Sequence, residues 1–170
     1  MLDDRTAAPD RLAQLADRLE LLDLLATLSH GIDRSDRDLI VSCYTEDSTD
    51  DHGGFKGTAA EFADYICGGS QISRTAKSLQ HVLGQSRFEI DDDSAFGETA
   101  YTFDMITAEN ELLHSSGRYV DRFRRVDGRW LVHHRKVVSD WTGRIAATRL
   151  PQHPDALTSS RDRTDPVYDR

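Results

Sequence analysis

The chain has 170 residues, with 21 lysines and arginines against 30 aspartates and glutamates, which gives a formal net charge of -9. This length fits one domain with its own core, and the acidic balance argues against general binding to nucleic acid or anionic membranes. No apolar run approaches the roughly 20 residues of a membrane span, and two cysteines make no disulfide framework. The acidic N-terminus lacks the apolar core of a secretory signal, so we expect a cytoplasmic protein.

Charge is unevenly distributed along the chain. Residues 46–64 hold six acids and one lysine, a net of -5, whereas residues 117–136 hold seven basic residues and two acids, a net of +5. Segments of opposite sign could attract each other within the fold or between subunits. A solvated surface with incidental clustering explains the pattern at least as well.

The first third of the chain has a helical pattern. After an unpacked lead, expected to be disordered over residues 1–9, a leucine stripe recurs at steps of three and four, which predicts a helix. The stripe consists of Leu12, Leu15, Leu19, Leu22 and Ala26. Because Leu25 and Leu28 widen it, we expect this helix to be largely covered, and Gly31 is expected to mark its end.

Two shorter helices are predicted next. One begins at Ser35, with Asp38 three residues further on as a weak capping box, and the other begins at Thr58, whose capping box with Glu61 is stronger. Between them, the polar and glycine-punctuated residues 45–57 are expected to hold a brief strand between two turns.

Beyond residue 69 the pattern changes to that of β-strands. Four segments are rich in Val, Phe, Tyr, Thr and Trp and are broken by turn signals such as Asp127-Gly128: residues 78–90, 94–107, 115–126 and 129–141. Helices followed by an antiparallel meander predict an α+β fold, in which helices pack on one face of a curved sheet and close a cone-shaped cavity. We expect a single domain over residues 10–150 and an extended, unpacked tail over residues 151–170.

Three isolated polar residues in apolar surroundings are candidates for chemistry. The sequence contains no phosphate-binding loop, serine-hydrolase elbow or zinc-protease motif, and we expect neither a metal nor a cofactor. Asp33 follows the long helix, where an aspartate usually makes a turn or a cap. His81 lies in an apolar strand, where a histidine is more often structural, and Arg135 in the last strand suits either a surface position or an ion pair. Spacing alone does not unite these three residues.

Five segments between about Leu12 and Trp141 together resemble the NTF2-like, SnoaL-like superfamily, over about three quarters of the chain. They are GID at the end of the long helix, YTED followed by DDHGGFKGT, HVLG, GRYVDRFRRVDGRW and RKVVSDW. Each segment is diffuse, but their order and spacing are fairly specific. The nearest branch includes lindane dehydrochlorinase, bile acid 7α-dehydratase and scytalone dehydratase.

The resemblance implies a cystatin-like cone with a pocket in which an aspartate holds a histidine base. These roles fall on Asp33 and His81, and a pocket arginine five residues after the hairpin tryptophan falls on Arg135. The match is incomplete, because Leu28 stands where bile acid dehydratase has a tyrosine, and the paired tyrosines of scytalone dehydratase have no counterpart that we can place. Substrate identity therefore does not transfer, and the wider family includes members without known catalysis.

The implied chemistry is proton abstraction from carbon without a cofactor. Neutral His81 would take the proton, Asp33 would fix its tautomer, and Arg135 would stabilise a leaving hydroxide, a halide or an enolate oxygen. We therefore predict a lyase, of the dehydratase or dehydrohalogenase type, for a cyclic and mostly apolar small molecule such as a steroid or polyketide. The alternatives are an isomerase or cyclase with the same base, and a non-catalytic ligand-binding protein.

Five further side chains could line the pocket, although each also suits the core or the rim: Tyr44, His52, Phe55, Phe103 and Trp141. The resemblance also implies a homo-oligomer, because the outer face of such a sheet is normally buried between subunits. Relatives of this branch are trimers or dimers, and a trimer is favoured here.

Overall fold

A long helix opens the part of the chain that the structure describes. The computed structural model describes residues 8–145 and 150–169, and helix α1 spans Ala8–Arg34. Of the predicted unpacked lead, residues 1–7 lie outside the described residues, whereas Ala8 and Pro9 already belong to α1. Proline is well tolerated in a first helical turn, because the N–H that it lacks would have no partner there.

Helix α1 is confirmed, but the prediction that its leucine stripe is buried is wrong for the first half of the helix. The leucines of the predicted stripe are exposed, from 43% for Leu22 to 68% for Leu12. The buried side instead carries Leu21, Leu25, Leu28 and Ile32. Both sets recur with the helical period, and periodicity does not tell which of two apolar stripes has a partner.

Asp17 marks the point where α1 first fastens to the sheet. Its Oδ1 atom accepts hydrogen bonds from the indole Nε1 of Trp130 at 3.0 Å and from the Arg125 guanidinium at 2.7 Å. Arg125 also lies over the Trp130 ring, 4.3 Å from its centroid. The first turns of α1 thus lie beyond the sheet, and its last turns cover the sheet.

The end of α1 lies further along the chain than predicted. The helix continues past Gly31, whose missing Cβ would sit only 3.0 Å from Ile40, so this glycine allows two helices to approach closely. Ser35 then adopts a left-handed backbone conformation, with φ of 53°, and interrupts the helix. The cap of helix α2 (Arg37–Ser42) is Asp36 rather than Ser35.

A six-stranded sheet follows, in the order β2-β1-β6-β5-β4-β3, with every neighbouring pair antiparallel except β1 and β6. The four long strands are confirmed, and the predicted brief strand is the eight-residue β1 together with the short β2. The strands are β1 Tyr44–Asp51, β2 Lys56–Gly57, β3 Ala76–Asp91, β4 Ser94–Thr107, β5 Leu112–Val126 and β6 Arg129–Ile145.

Short helices complete the cover over the inner face of the sheet. Helix α3 spans Ala59–Asp64 and has the predicted capping box between Thr58 and Glu61. A π-helical turn over Tyr65–Gly69 and helix α4 over Gln71–Thr75 lead into β3. The α+β cone is therefore confirmed, with helices on one face of a curved sheet. No helix within the described ranges has both the length and the apolar character needed to cross a membrane.

Part of the charge segregation is resolved within the chain. Because β1 runs beside β6, the acidic segment meets the basic one, and Asp47 pairs with Arg124 of β5 at 3.1 Å. Within the acidic segment itself, Asp51 pairs with Lys56 of the neighbouring β2 at 2.9 Å. Opposite charges therefore attract each other from strand to strand, although these exposed pairs add little stability.

The C-terminal segment differs from the unpacked tail that its composition predicts. Residues 150–158 are exposed, but a 3₁₀ turn at Pro166–Tyr168 lies against the loop between α1 and α2. There the buried carboxylate of Asp36 accepts hydrogen bonds from Arg163 and from the Tyr168 hydroxyl, both at 2.9 Å. Charged residues of the C-terminal segment, which the sequence predicts to be unpacked, therefore contact α1 and the loop that follows it.

Candidate functional site

Asp33 and His81 meet where the last turn of α1 faces strand β3. The Nδ1 atom of His81 lies 2.6 Å from Asp33 Oδ1, and the backbone N–H of His81 donates to Oδ2 at 3.0 Å. An ionised carboxylate can only accept a hydrogen bond, so the Nδ1 nitrogen that faces Asp33 is the donor. Both side chains are largely buried. The contact selects the tautomer of the neutral imidazole in which Nε2 is the basic atom.

Local structure explains why these two residues meet. Asp33 lies in the last turn of a helix that continues past Gly31, and Leu28 and Ile32 on the same helix are buried in the core. His81 lies two residues after buried Leu79 in β3, so both side chains point to the inner face of the sheet.

Aromatic rings surround the imidazole. Phe103 lies opposite His81 in the β3–β4 register, and their ring centroids are 5.5 Å apart. Tyr101 lies 6.5 Å from His81 and stacks on Tyr119 at 4.4 Å. Burial raises the pKa of Tyr101 and, more strongly, that of Tyr119, so both phenols stay protonated near neutral pH. The surroundings of the pair are apolar walls with neutral hydrogen-bond donors.

Arg135 is buried in the same interior, in a fully formed ion pair. Its Nε and Nη2 atoms donate to the two oxygens of Asp121, both at 2.8 Å, and each residue is 1% exposed. The guanidinium carbon lies 4.0 Å above the ring of Tyr119. Burial opposes its charge, but the contact with Asp121 outweighs burial and raises the pKa of Arg135. Tyr119, stacked on Tyr101, therefore links Arg135 to the surroundings of His81.

Tyr44 and His52 converge on a second buried carboxylate, that of Asp50. The Tyr44 hydroxyl donates to Asp50 Oδ2 at 2.6 Å, and His52 Nδ1 contacts the other oxygen. The His52 ring stacks on Phe62, with centroids 4.4 Å apart. Phe55 lies beside the same group, 5.7 Å from Phe62. These residues form an interior polar cluster next to the apolar core.

Trp141 is not brought to this interior. It is 49% exposed and packs against His114, 5.4 Å away, on the outer face of the sheet. A register shift between Ser116 and Gly117 lies beside it in the β5–β6 pairing. Such a shift changes which residues of the strand point inward.

Sequence reasoning did not single out four of these interior residues: Asp50, Tyr101, Tyr119 and Asp121. Strand alternation provides a usable signal for two of them, because Tyr119 and Asp121 share one face of β5 with the core residue Phe123. An acidic residue on the apolar face of a strand indicates a cation nearby, and for Asp121 that cation is Arg135.

The pair does not line the groove on the outer face of the sheet, and it belongs to no metal-binding cluster among the described residues. A groove of about 570 Å³ lies on the outer face of the sheet, with Phe96 and Arg122 among its lining residues, and includes neither Asp33 nor His81. Within residues 8–145 and 150–169, no group of three His, Cys, Asp or Glu side chains could hold a metal ion. The pair is an interior feature.

A curved sheet closed by helices around a buried polar interior is the architecture of the NTF2-like proteins. An NTF2-like superfamily protein from Salmonella enterica superposes with a TM-score of 0.68 at 14% identity, over 74% of this chain and 92% of that one. LinA-type3 hexachlorocyclohexane dehydrochlorinase from Novosphingobium barchaimii gives 0.74 at 18% identity, over 84% and 99%. A candidate scytalone dehydratase from Novosphingobium aromaticivorans gives 0.69 at 14% identity, over 85% and 97%. At these identities the likeness concerns the fold.

Within that architecture, the chain belongs to the SnoaL-like domain family. The model of the SnoaL-like domain matches residues 13–136, which run from the first half of α1 into β6. Comparison with curated protein sequences finds no match.

Proposed function

We propose that the protein is a cofactor-free lyase in which His81 is the general base and Asp33 holds it. The observation that carries this proposal is the double contact of Asp33 with the side chain and the backbone N–H of His81. A carboxylate that orients the imidazole and balances the imidazolium formed during turnover supports general base catalysis.

Proton abstraction begins at Nε2, the imidazole nitrogen that does not face Asp33. As His81 takes a proton from a substrate carbon, its imidazolium forms next to the ionised Asp33, which stabilises it. The electron pair left on carbon forms a double bond and expels a hydroxide or halide from the neighbouring carbon. General base assistance of this kind typically contributes about 10²–10⁴-fold in rate.

Arg135 and the buried phenols are the groups available to stabilise developing negative charge. Since Asp121 already compensates the charge of Arg135, we expect Arg135 to contribute less than His81 does. The phenols of Tyr101 and Tyr119 stay protonated, so they can donate a hydrogen bond to an oxygen or a halide.

The substrate class follows from the walls around the base. The rings of Phe103 and Tyr101 favour a cyclic, mostly apolar molecule that carries a leaving group. The names of two structurally similar proteins, a hexachlorocyclohexane dehydrochlorinase and a candidate scytalone dehydratase, denote eliminations from ring compounds. We extend that reaction type, but not a particular substrate, to this chain.

The experiment is a substrate screen followed by a matched pair of histidine variants. Chlorinated cyclohexanes, hydroxylated steroids and aromatic polyketides are screened for loss of water or hydrogen halide. His81→Gln is then expected to lower kcat by at least about 100-fold, because glutamine cannot accept the proton. Asp33→Asn is expected to reduce turnover similarly, since an amide can favour the other tautomer.

His114→Gln is the control, because His114 makes a similar contact with Asp104, 2.7 Å from Nδ1, on the outer face. This variant should keep kcat within about threefold of the wild type. Near-normal turnover by folded His81→Gln would overturn the proposal.

A base-catalysed isomerase or cyclase is the second candidate. The observation that favours it is the pair of buried, protonated phenols near His81, since such donors stabilise an enolate oxygen without a leaving group. Exchange of substrate α-hydrogen for deuterium in D₂O, without release of water or halide, would select this candidate. A protein that binds rings of this kind but shows neither reaction would be a ligand-binding member of the family.

We also propose that the chain forms a homo-oligomer, with three copies favoured. Support comes from apolar side chains left exposed on the outer face of the sheet, including Val82, Phe96 and Trp141. Arg122 lines the same surface beside Phe96. Light scattering after size-exclusion chromatography should give a trimer mass for the wild type and a lower mass for Arg122→Glu with Phe96→Asp. A monomeric wild type would refute this proposal.

A further inference from the structure

Arg161, in the C-terminal segment, reaches the backbone that carries the His81–Asp33 pair. Its Nε atom donates to the Asp33 carbonyl at 3.2 Å, Nη2 to the Ile32 carbonyl at 3.2 Å, and Nη1 to the Ser73 carbonyl at 3.4 Å. One side chain thus binds three carbonyl groups that belong to two different helices.

These carbonyls belong to the segments that position the two members of the pair. Ile32 and Asp33 form the last turn of α1, where backbone carbonyls have no partner within the helix. Ser73 lies in α4, directly before strand β3, which carries His81. Arg161 therefore ties the helix end that presents Asp33 to the entry of the strand that presents His81. A planar guanidinium can reach several carbonyls at once, which a lysine ammonium does less well.

The charge of Arg161 also acts on the pair. Burial lowers the pKa of Arg161, while the Asp33 carboxylate opposes that shift, so the two groups interact electrostatically. Arg34 of α1 places a second positive charge near Arg161, and other titratable groups near the pair are Tyr101 of β4, Tyr119 of β5 and Cys67 of the π-helical turn. Near neutral pH these three remain protonated, because burial raises the pKa of each.

We propose that Arg161 is a positioning residue for the His81–Asp33 pair, which makes the C-terminal segment part of the candidate active site. Arg161 fixes the distance between the two elements and places a positive charge beside the carboxylate. Its catalytic consequence rests on the proposed function, but its effect on the hydrogen bond between the two side chains does not.

The segment has other anchors, so Arg161 can be replaced without releasing it. Asp36 accepts hydrogen bonds from Arg163 and Tyr168, and Asp165 lies 3.5 Å from Arg34. Arg163→Gln is consequently the matched control for Arg161→Gln. It makes the same chemical change two residues away, in the same segment, and removes a contact with a side chain rather than with the backbone of the pair.

The experiment compares these two variants with the wild-type protein by NMR and by kinetics. In a long-range ¹H–¹⁵N spectrum, Arg161→Gln is expected to make the His81 Nδ1 proton exchange about tenfold faster, because the hydrogen bond to Asp33 is held less firmly. With a substrate from the screen, kcat should fall about tenfold or more while KM changes less than about threefold.

The pH profile gives a readout that a purely structural role would not move. Removing a positive charge favours the imidazolium, so the protonated and inactive form of His81 persists to higher pH. The acid limb of the kcat profile should therefore move up by about half a pH unit in Arg161→Gln. Arg161→Lys keeps the charge but loses the three-way contact, so it should restore the acid limb and only part of kcat. Arg163→Gln should resemble the wild type in every readout.

The outcomes separate this proposal from the proposed function. Altered exchange of the His81 proton without turnover on any substrate would support the role of Arg161 and count against the lyase. Wild-type exchange and an unshifted acid limb in Arg161→Gln would overturn the role of Arg161, whatever the reaction is. Equal changes in Arg161→Gln and Arg163→Gln would also overturn it, since they would reflect docking of the segment alone. If Arg161→Gln does not fold, the same measurements are made on Arg161→Lys. An unchanged kcat and an unchanged exchange rate of the His81 proton in Arg161→Lys would then refute the proposal.

Discussion

Breaking the buried ion pair between Arg135 and Asp121 should destabilise the protein strongly. Asp121→Asn keeps the shape of the side chain but removes the charge that faces the guanidinium through two hydrogen bonds of 2.8 Å. Both residues are 1% exposed, so water cannot replace the lost carboxylate. Leaving one buried charge without its partner costs about 3–5 kcal/mol. The remaining contact of Arg135 with the Tyr119 ring, at 4.0 Å, offsets only about 1 kcal/mol of this.

The assay is urea unfolding followed by tryptophan fluorescence, with Glu111→Gln as the control. Glu111 makes one contact of 3.0 Å with Arg144, but both side chains are substantially exposed, so its loss should cost less than about 1 kcal/mol. The double variant Arg135→Met with Asp121→Leu should recover most of the lost stability, because neither charge then remains buried. A cost below about 1 kcal/mol for Asp121→Asn would show that the pair is hydrated, and Arg135 would then be free to act on a substrate.

Two further predictions concern the attachment of α1 and the buried thiol. Asp17→Ala should lower the free energy of unfolding by about 2 kcal/mol, because it removes hydrogen bonds to Trp130 and Arg125; chemical denaturation measures this, and an unchanged midpoint would contradict it. Burial raises the pKa of Cys43 to about 11, so iodoacetamide at pH 8 should alkylate Cys67 first, as mass spectrometry can show. Equal alkylation of both cysteines would refute this order. The free energy of unfolding should also fall as pH rises from about 9 towards 11, since only the thiol of the unfolded chain ionises in that range; a free energy of unfolding that stays constant there would contradict the prediction.

Local signals in the sequence were sufficient to predict most of the helices and strands, but not to predict what these elements pack against. The capping box of Thr58 and the Asp127-Gly128 turn each depend on a few adjacent residues, so they could be read directly. The apolar stripe of Leu12 and Leu19 could not be assigned in the same way, because burial depends on where the sheet ends. For the same reason, the docking of Arg163 on Asp36 is absent from any local pattern, since 127 residues separate the two.

The candidate site shows the same limit. Nothing in the spacing of Asp33 and His81, 48 residues apart, indicates contact, and a family resemblance was needed to suggest it. The partner of Arg135 was not foreseen, because Asp121 reads as one more charge in a basic strand. The register that places these two residues opposite each other follows from the β5–β6 pairing and its register shift, which no short segment encodes.

Two histidines in this interior contact a buried aspartate through Nδ1, and their surroundings distinguish them. The His52 ring lies flat on Phe62, nearly parallel at 17°, so one of its faces is covered, and its partner Asp50 also accepts the Tyr44 hydroxyl. The rings near His81 are tilted instead, at 45° for Phe103 and 54° for Tyr101.

The carboxylates also differ. Asp33 receives the backbone N–H of His81 itself, which fixes the carboxylate relative to the very strand whose imidazole it orients. Asp50 also contacts the imidazole of His52 directly, but its other oxygen accepts the Tyr44 hydroxyl rather than a backbone N–H of the histidine. A base that must keep one tautomer through many turnovers gains from the Asp33 arrangement, because the backbone N–H of the histidine itself fixes the second carboxylate oxygen. This is the structural reason for assigning the reaction to His81 rather than to His52.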